Sequence, residues 1–361
     1  MSLNIDIFDN LFDILLKISV LCKGGFYMKK IKVFLILIII LSVCGCGSNP
    51  QSNGAAAPKA RYLYPKDYMA DPSAHVFNGK VYIYPSHDWS SGITSNGSGQ
   101  AFQMKDYHVF SMDDVENGEV TAHGKILDLK DIPWAESQLW APDAAFKNGK
   151  YYFYFPARDK YGVFRIGVAI ADRPEGPFIP ESEPIKGSYS IDPCVFEDDG
   201  VYYMYFGGSG STPAGLSSSL ARVAKLSDDM LQFAEEPRPV VVLDKKGKPA
   251  VDYDNQFFEA AWMHKYNGKY YFSYSTGNSH LLSYAIGDNP YGPFIYQGVI
   301  LTPVVGWTTH HSIVEFKGKW WLFFHDSRPS GDVTWLRSIK VIEMRYNEDG
   351  TIQKIRGGGS W

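Results

Sequence analysis

The sequence predicts an all-β protein, a five-bladed β-propeller, and three observations predict it. One phrase recurs five times: an apolar pair, a turn carrying Gly, then a strand dense in Tyr, Phe and Trp. The copies are AHVFNGKVYIY (Ala74–Tyr84), AAFKNGKYYFY (Ala144–Tyr154), CVFEDDGVYYMY (Cys194–Tyr205), WMHKYNGKYYFSY (Trp262–Tyr274) and IVEFKGKWWLFF (Ile313–Phe324). A second pattern, strand then polar Pro/Gly turn then aromatic re-entry, occurs at Ile166–Phe178 and again at Leu282–Phe294. Helical periodicity is almost absent beyond the N-terminal stretch. Small sheets repeated at intervals of this size build a propeller.

Each of the five phrases reads as a β-hairpin, because Asn-Gly, Asp-Gly or Lys-Gly sits at the turn and aromatic or β-branched residues follow it. The turn glycines are Gly79, Gly149, Gly200, Gly268 and Gly318, so the steps are 70, 51, 68 and 50 residues. The next strand outward is expected at Tyr107–Ser111, Ile166–Ile170, Ala221–Leu226 and Leu282–Ile286 in the first four units. The last strand, Ile339–Tyr346, is expected to close the ring against the first or last blade. From Arg61 to the C-terminus no second domain is apparent, and residues 61–361 read as one propeller.

Equivalent points of the blades face one central channel, so positions at a fixed distance before the turn glycine converge in space. Eight residues before it stand Asp71, Ala141, Asp192 and His310 in the first, second, third and fifth units. Nine before it stand Trp140 in the second and Glu259 in the fourth. Three carboxylates and a histidine are therefore expected at one end of the axis. Asp before Pro, as in Asp71-Pro72 and Asp192-Pro193, is also a common turn former, since its side chain caps local amides. That alternative weakens when both fall at one register of a repeat. Glu259 has no turn chemistry to explain it and lies in the apolar run Phe257-Phe258-Glu259-Ala260-Ala261-Trp262. Burial there disfavours the charged form and raises the pKa, as a general acid working near neutral pH requires.

The 361 residues are 15% aromatic and 20% charged with net charge −4, without a basic stripe, which argues against a nucleic-acid partner. An aromatic surplus suits a protein that stacks sugar rings, and equally a β protein with large cores. Met28-Lys29-Lys30 followed by the apolar run Val33–Val43 has the form of a secretory signal, and at 11 residues that run is short for a bilayer span. It ends in Val43-Cys44-Gly45-Cys46-Gly47, which resembles a bacterial lipobox with Cys46 as the lipidated residue. Residues 1–27 then read as an upstream extension, 28–45 as a lipoprotein signal peptide and 46–60 as a flexible tether rich in Ser, Asn, Gly, Ala and Pro. The expected location is the cell envelope of a bacterium, with membrane contact only through the lipid anchor.

Cys194 is the one cysteine beyond that leader, so the propeller is expected to stand on packing without a disulfide, with Cys194 a buried structural thiol. Two loops are long enough to shape a pocket. Pro85–Gln103 is polar and begins with His87, Asp88 and Trp89, candidate ligand-binding residues; Gly207–Ser219 is Gly/Ser-rich.

With five units, Asp in the first and third and Glu in the fourth, the chain resembles the family 43 glycoside hydrolases, five-bladed propellers acting on arabinose- and xylose-containing polysaccharides. The likeness covers about residues 66–352. Met69-Ala70-Asp71-Pro72-Ser73 is similar to the family's general-base motif, Ser190-Ile191-Asp192-Pro193 to its pKa-modulator motif, and Phe258-Glu259-Ala260-Ala261-Trp262-Met263 to its general-acid motif. Trp140-Ala141-Pro142-Asp143 and Thr309-His310-His311-Ser312 also resemble family segments, and Arg337 stands like the family's active-site arginine. The Ala after Glu259 departs from the Gly common there. The resemblance implies an inverting mechanism: Asp71 as base, Glu259 as acid, Asp192 raising and orienting Glu259, and Arg337 holding Asp192 or a sugar hydroxyl. No cofactor is required, although a calcium ion in the central channel with His310 as a metal-linked group is compatible with the likeness. The expected activity is exo-release of terminal α-L-arabinofuranosyl groups from plant cell-wall polysaccharide. The alternatives are a β-xylosidase or exo-galactanase of the same fold, or a non-catalytic sugar-binding propeller.

Overall fold

Five sheets follow one another along the chain in the computed structural model, antiparallel except where Val242–Leu243 runs parallel to Phe294–Leu301 at the edge of the fourth, and the structure describes residues 58–94, 99–208, 220–252, 254–277 and 279–359. The upstream extension, signal segment, Cys46, all but the end of the tether and most of the loop Gly207–Ser219 lie outside the described residues. Among the described residues there is no α-helix, and none is long and apolar enough to cross a membrane.

Each predicted hairpin forms the two inner strands of one blade: Met69–Phe77 with Lys80–His87, Asp143–Lys147 with Lys150–Asp159, Cys194–Asp198 with Val201–Phe206, Phe257–Tyr266 with Lys269–Thr276, and His311–Phe316 with Lys319–Asp326. The turn chemistry explains the pairing. Both central residues of every turn have positive φ, from Asn78 at 51° and Gly79 at 75° to Lys317 at 53° and Gly318 at 75°. That twist matches the flanking strands and favours Asn, Asp and Gly. The expected third strands follow, and the last strand pairs with the last blade as expected, with one addition that the sequence did not point to. Ser338–Met344 is the third strand of the last blade, and the N-terminal pair Arg61–Tyr62 adds outside it, with Arg61 opposite Val341 and Tyr62 opposite Lys340. The ring is latched by the start of the domain because Ser338–Met344 already has its inner partner in Lys319–Asp326.

The blades are tied at the axis by one register, six residues before each turn glycine. Ser312 Oγ accepts the Ala74 amide at 3.0 Å, Ser73 Oγ donates to Asp143 Oδ1 at 2.5 Å, and Asp143 Oδ2 accepts the Val195 amide at 2.5 Å. Cys194 Sγ accepts the Met263 amide at 3.3 Å, and Trp262 Nε1 donates to the Ile313 carbonyl at 3.1 Å. Cys194 is thus a structural thiol. The core lies between blades: Tyr84 and Tyr107 of the first pack on Phe153 and Phe178 of the second, all nearly or fully buried. Each such ring contributes roughly 1.5–3 kcal/mol by leaving water.

A kink precedes the hairpins that carry the carboxylates. Asp71, Asp192 and Ala260, each eight residues before its turn glycine, have φ of 48°, 57° and 61°. The ladder slips at the same place, between Ala70 and Ser73 and between Glu259 and Trp262. Such bulges re-aim side chains at the rim of a sheet. In blade four the kinked residue is Ala260, which is why Glu259 sits one position earlier than its counterparts.

Candidate active site

The entrances to all five inner strands open on one cavity of about 350 Å³. Asp71 comes from blade one, Trp140 and Ala141 from blade two, Ile191 and Asp192 from blade three, Phe258 and Glu259 from blade four, and Thr308 and His310 from blade five. Phe102 and Met104 reach it from the loop of blade one, and Arg337 arrives just before the third strand of blade five. The three carboxylates named from the repeat register therefore share one wall-to-wall space, each less than a tenth exposed.

Asp71 is held charged. Arg337 Nη1 donates to its Oδ1 at 2.7 Å, Ser86 Oγ donates to its Oδ2, and its amide donates to His325 Nδ1 at 3.0 Å. Burial pushes its carboxyl up, and the Arg337 cation together with His325, His310 and the Ser86 hydroxyl outweighs that, leaving it at about 2. His325, driven down to about 3 by burial, is neutral and so has a lone pair on Nδ1 for that amide. Of the two roles expected for Arg337, holding Asp192 or a sugar hydroxyl, the first is not seen, because its hydrogen bonds go to Asp71, Asp88 and Thr308. Its Nε and Nη2 each lie 2.8 Å from one oxygen of Asp88, its Nη1 also reaches Thr308 Oγ1 at 3.1 Å, and its guanidinium lies 4.8 Å from the Phe102 ring centre. The two carboxylates push Arg337 upward despite its burial, so it stays a cation.

Asp192 has the opposite environment. Burial and the neighbouring Glu259 carboxyl push it well above the ordinary range, against the pull of the Ala260 amide, which its Oδ2 accepts at 2.7 Å. Two carboxyls coupled in this way retain a proton between them at neutral pH. His310 Nδ1 lies 3.9 Å from Asp71 Oδ1 and 3.8 Å from Asp192 Oδ2, and burial lowers it to about 4, so it is neutral at pH 7. A charged carboxylate, a proton-bearing pair and a fixed cation around one cavity can move protons to and from a single bound molecule.

Calcium prefers six to eight oxygen ligands. Around His310 the near carboxylate oxygens belong to Asp71 and Asp192, which Arg337, Ser86 and the Ala260 amide already engage. His310 itself offers nitrogen, so a calcium ion held here would draw most of its oxygen ligands from water.

Three sequence candidates stand apart from the cavity wall. Asp88 is 1% exposed and acts through Arg337, because both its oxygens are spent on the guanidinium. His87 pairs with Asp106 and Asp67, and Trp89 donates to the Gln103 carbonyl with Lys105 Nζ 4.0 Å from its ring. Their loop still contributes, through Phe102, Met104 and Gly99. A Cβ on Gly99 would sit 2.5 Å from the Trp140 ring, so the loop passes over Trp140 only with glycine there. Gly208 does the same above Ile191 and Glu259, with 2.7 and 3.2 Å. Unanticipated members are Ser86 and His325, each seven residues after its turn glycine; counting forward as well as back would have found them. Trp307, 37% exposed at the rim, packs edge-on to Phe258 at 6.1 Å.

The family model for Glycosyl hydrolases family 43 matches residues 65–352. The chain is 63% identical over 317 residues to a xylosidase/arabinosidase of Bacteroides ovatus, covering 82% of this chain and 98% of that protein. It is 57% identical over 318 residues to a beta-xylosidase of Xylanibacter ruminicola, covering 82% and 100%. Among solved structures it resembles a beta-xylosidase/alpha-arabinofuranosidase from a compost microbial metagenome in complex with xylotriose, with TM-score 0.80, 57% identity and coverage of 84% and 100%. Matched across its propeller at these identities, the chain belongs to glycosyl hydrolase family 43 and is a glycoside hydrolase, cleaving O-glycosyl bonds of a carbohydrate substrate.

Proposed function

We propose that this enzyme releases single pentose units, β-D-xylosyl and α-L-arabinofuranosyl, from the ends or side chains of plant cell-wall xylan and its oligosaccharides, with inversion at the anomeric carbon. The observation that carries the reading is the gathering of Asp71, Asp192, Glu259 and Arg337 around one small cavity. Its 350 Å³ is at the low end of the roughly 300–1,000 Å³ of small-molecule sites, which favours a terminal unit over a long polymer stretch. All three relatives described above are named for xylosidase activity and two of them also for arabinose, so xylose stands beside the arabinofuranose expected from the sequence.

In the proposed reaction Asp71, kept ionised by Arg337, takes a proton from a water as that water attacks the anomeric carbon. Glu259 gives its proton to the departing glycosidic oxygen. In this mechanism Glu259 carries the pair's proton as the glycosidic bond breaks, and the Ala260 amide, donating to Asp192, supports the charge left there. Base and acid come from blades one and four, which are not neighbours in the ring, leaving room for water on the face opposite the leaving group.

The test is hydrolysis of nitrophenyl β-D-xylopyranoside and α-L-arabinofuranoside, and of xylotriose, followed by proton NMR. The first sugar formed from a β-xyloside is expected to be the α-anomer. Glu259→Gln is expected to lower kcat on xylotriose about 10²–10⁴-fold with little change in KM. A β-anomer as first product, or full turnover by Glu259→Gln, would overturn the proposal.

A further inference from the structure

The feet of the cavity loop are held by imidazoles and carboxylates that the proposed reaction does not use. The loop leaves the strand Lys80–His87, carries Gly99, Phe102 and Met104 to the cavity and returns as Asp106–Met112. At its feet stand His87, Asp106 and His108, each offering a ligand atom within 4.8 Å of the other two. Asp106 Oδ1 is the hub, 2.5 Å from His87 Nδ1 and 3.8 Å from His108 Nε2. The two imidazole rings are 4.6 Å apart between centroids. His87 Nε2 faces Asp67 Oδ2 at 3.2 Å. Lys125 Nζ is 3.7 Å from Asp106 Oδ2 but 2.5 Å from Asp128 Oδ2, its nearer partner.

His87 thus has a carboxylate oxygen against each ring nitrogen. A neutral imidazole has a single N–H, so it satisfies one of these contacts and turns a lone pair toward the other. A cation must complete the second contact, either an extra proton or a metal ion. The arrangement is the one metal-binding histidines take, with the outer nitrogen on a carboxylate that sets the tautomer and the inner nitrogen left for the ion. Two imidazole nitrogens, one carboxylate oxygen and an open position for water suit zinc and its transition-metal neighbours and are too poor in oxygen for calcium. The side chains are between 19% and 22% exposed, so an ion can enter from solvent.

We propose that His87, Asp106 and His108 bind a divalent transition ion of the zinc class, with Asp67 orienting His87, and that the ion staples the two feet of the loop lining the cavity. The site stands independently of which sugar the enzyme releases.

The experiment is calorimetric titration of zinc chloride, and of calcium chloride in parallel, into tag-free enzyme stripped with a chelator. One zinc per chain, a raised melting temperature and no matching calcium uptake are expected. His108→Ala, outside the catalytic machinery, is expected to weaken zinc at least about tenfold while metal-free hydrolysis of the aryl xyloside stays at the wild-type rate. Cobalt(II) is expected to give the visible absorption of a four-coordinate site in the wild type and not in His108→Ala. Asp67→Asn keeps all three ligands and is expected to weaken zinc about 10–100-fold, which gives the reading even if His108→Ala folds poorly. Absence of zinc uptake at roughly 0.1 mM, or zinc affinity unchanged in both variants, overturns the site.

Discussion

Asp192 Oδ2 accepts the amide of Ala260 at 2.7 Å, tying the carboxylate of blade three to the residue directly after Glu259 of blade four. The contact links two blades at the point where the proposed acid emerges. It makes Asp192 a group that acts on Glu259 through both charge and position.

Removing that charge has a definite sign. A nearby negative charge raises a carboxyl's pKa, so Asp192→Asn lowers that of Glu259 and the proton is lost at lower pH. The alkaline limb of the kcat/KM profile is expected to move to lower pH by about one unit or more, with roughly a hundredfold loss at neutral pH. An alkaline limb that stays in place would remove Asp192 from this role.

On the acid side, Asp71 remains charged until pH nears about 2, whereas His310 gains its proton near 4. The acid limb of kcat/KM is therefore expected near pH 4 and to report His310. In His310→Asn the limb should move lower, toward Asp71 or the onset of acid unfolding. A pH–rate series on both proteins checks this; identical limbs would assign the titration elsewhere.

Asp88 is expected to matter more for stability than its distance from the sugar would imply. Asp88→Ala leaves Arg337 buried with Asp71 as its remaining charged partner. Breaking a buried pair in this way costs about 3–5 kcal/mol, readable as a lower urea midpoint. A loss under about 1 kcal/mol, the scale of an exposed pair, would contradict the clamp.

Ala260 has φ 61°, a left-handed conformation that costs an L-residue with a Cβ roughly 1–2 kcal/mol. Part of that returns as unfolded-chain entropy when glycine replaces it. Ala260→Gly is expected to raise stability by about 0.5–1 kcal/mol with kcat unchanged. A destabilised Ala260→Gly would mean the kink is not strained.

Lipid attachment remains a proposal resting on the sequence around Cys46. In a bacterial host Cys46→Ser is expected to shift the enzyme from the membrane fraction to the soluble fraction, measured by activity in each. Equal partition of variant and parent would count against the anchor.

Much of the fold was legible because its signals are local. Asn78-Gly79 and its four counterparts need positive φ at both residues, and that need is written in the residue types themselves. Repetition then carried Asp71, Asp192 and Glu259 to one cavity, since identical registers of a ring face the same axis. The outermost strand of the last blade, Arg61–Tyr62, was not legible because it is an ordinary two-residue strand, and only its pairing beside Lys340 and Val341 shows that it closes the ring.

The sequence by itself determined the five hairpins, the all-β class and the acidic register, because turn geometry and strand alternation act over a few residues. The tertiary structure decided what each acid is. Arg337 reaches Asp71 across 266 residues and keeps it charged, while burial and mutual repulsion leave Asp192 and Glu259 sharing a proton. It also turned Asp88 from a candidate ligand group into the clamp of Arg337 and moved His87 to a cluster at the foot of the loop. Charge state depends on what lies within a few ångströms in space, and that distance exists only once the ring has closed.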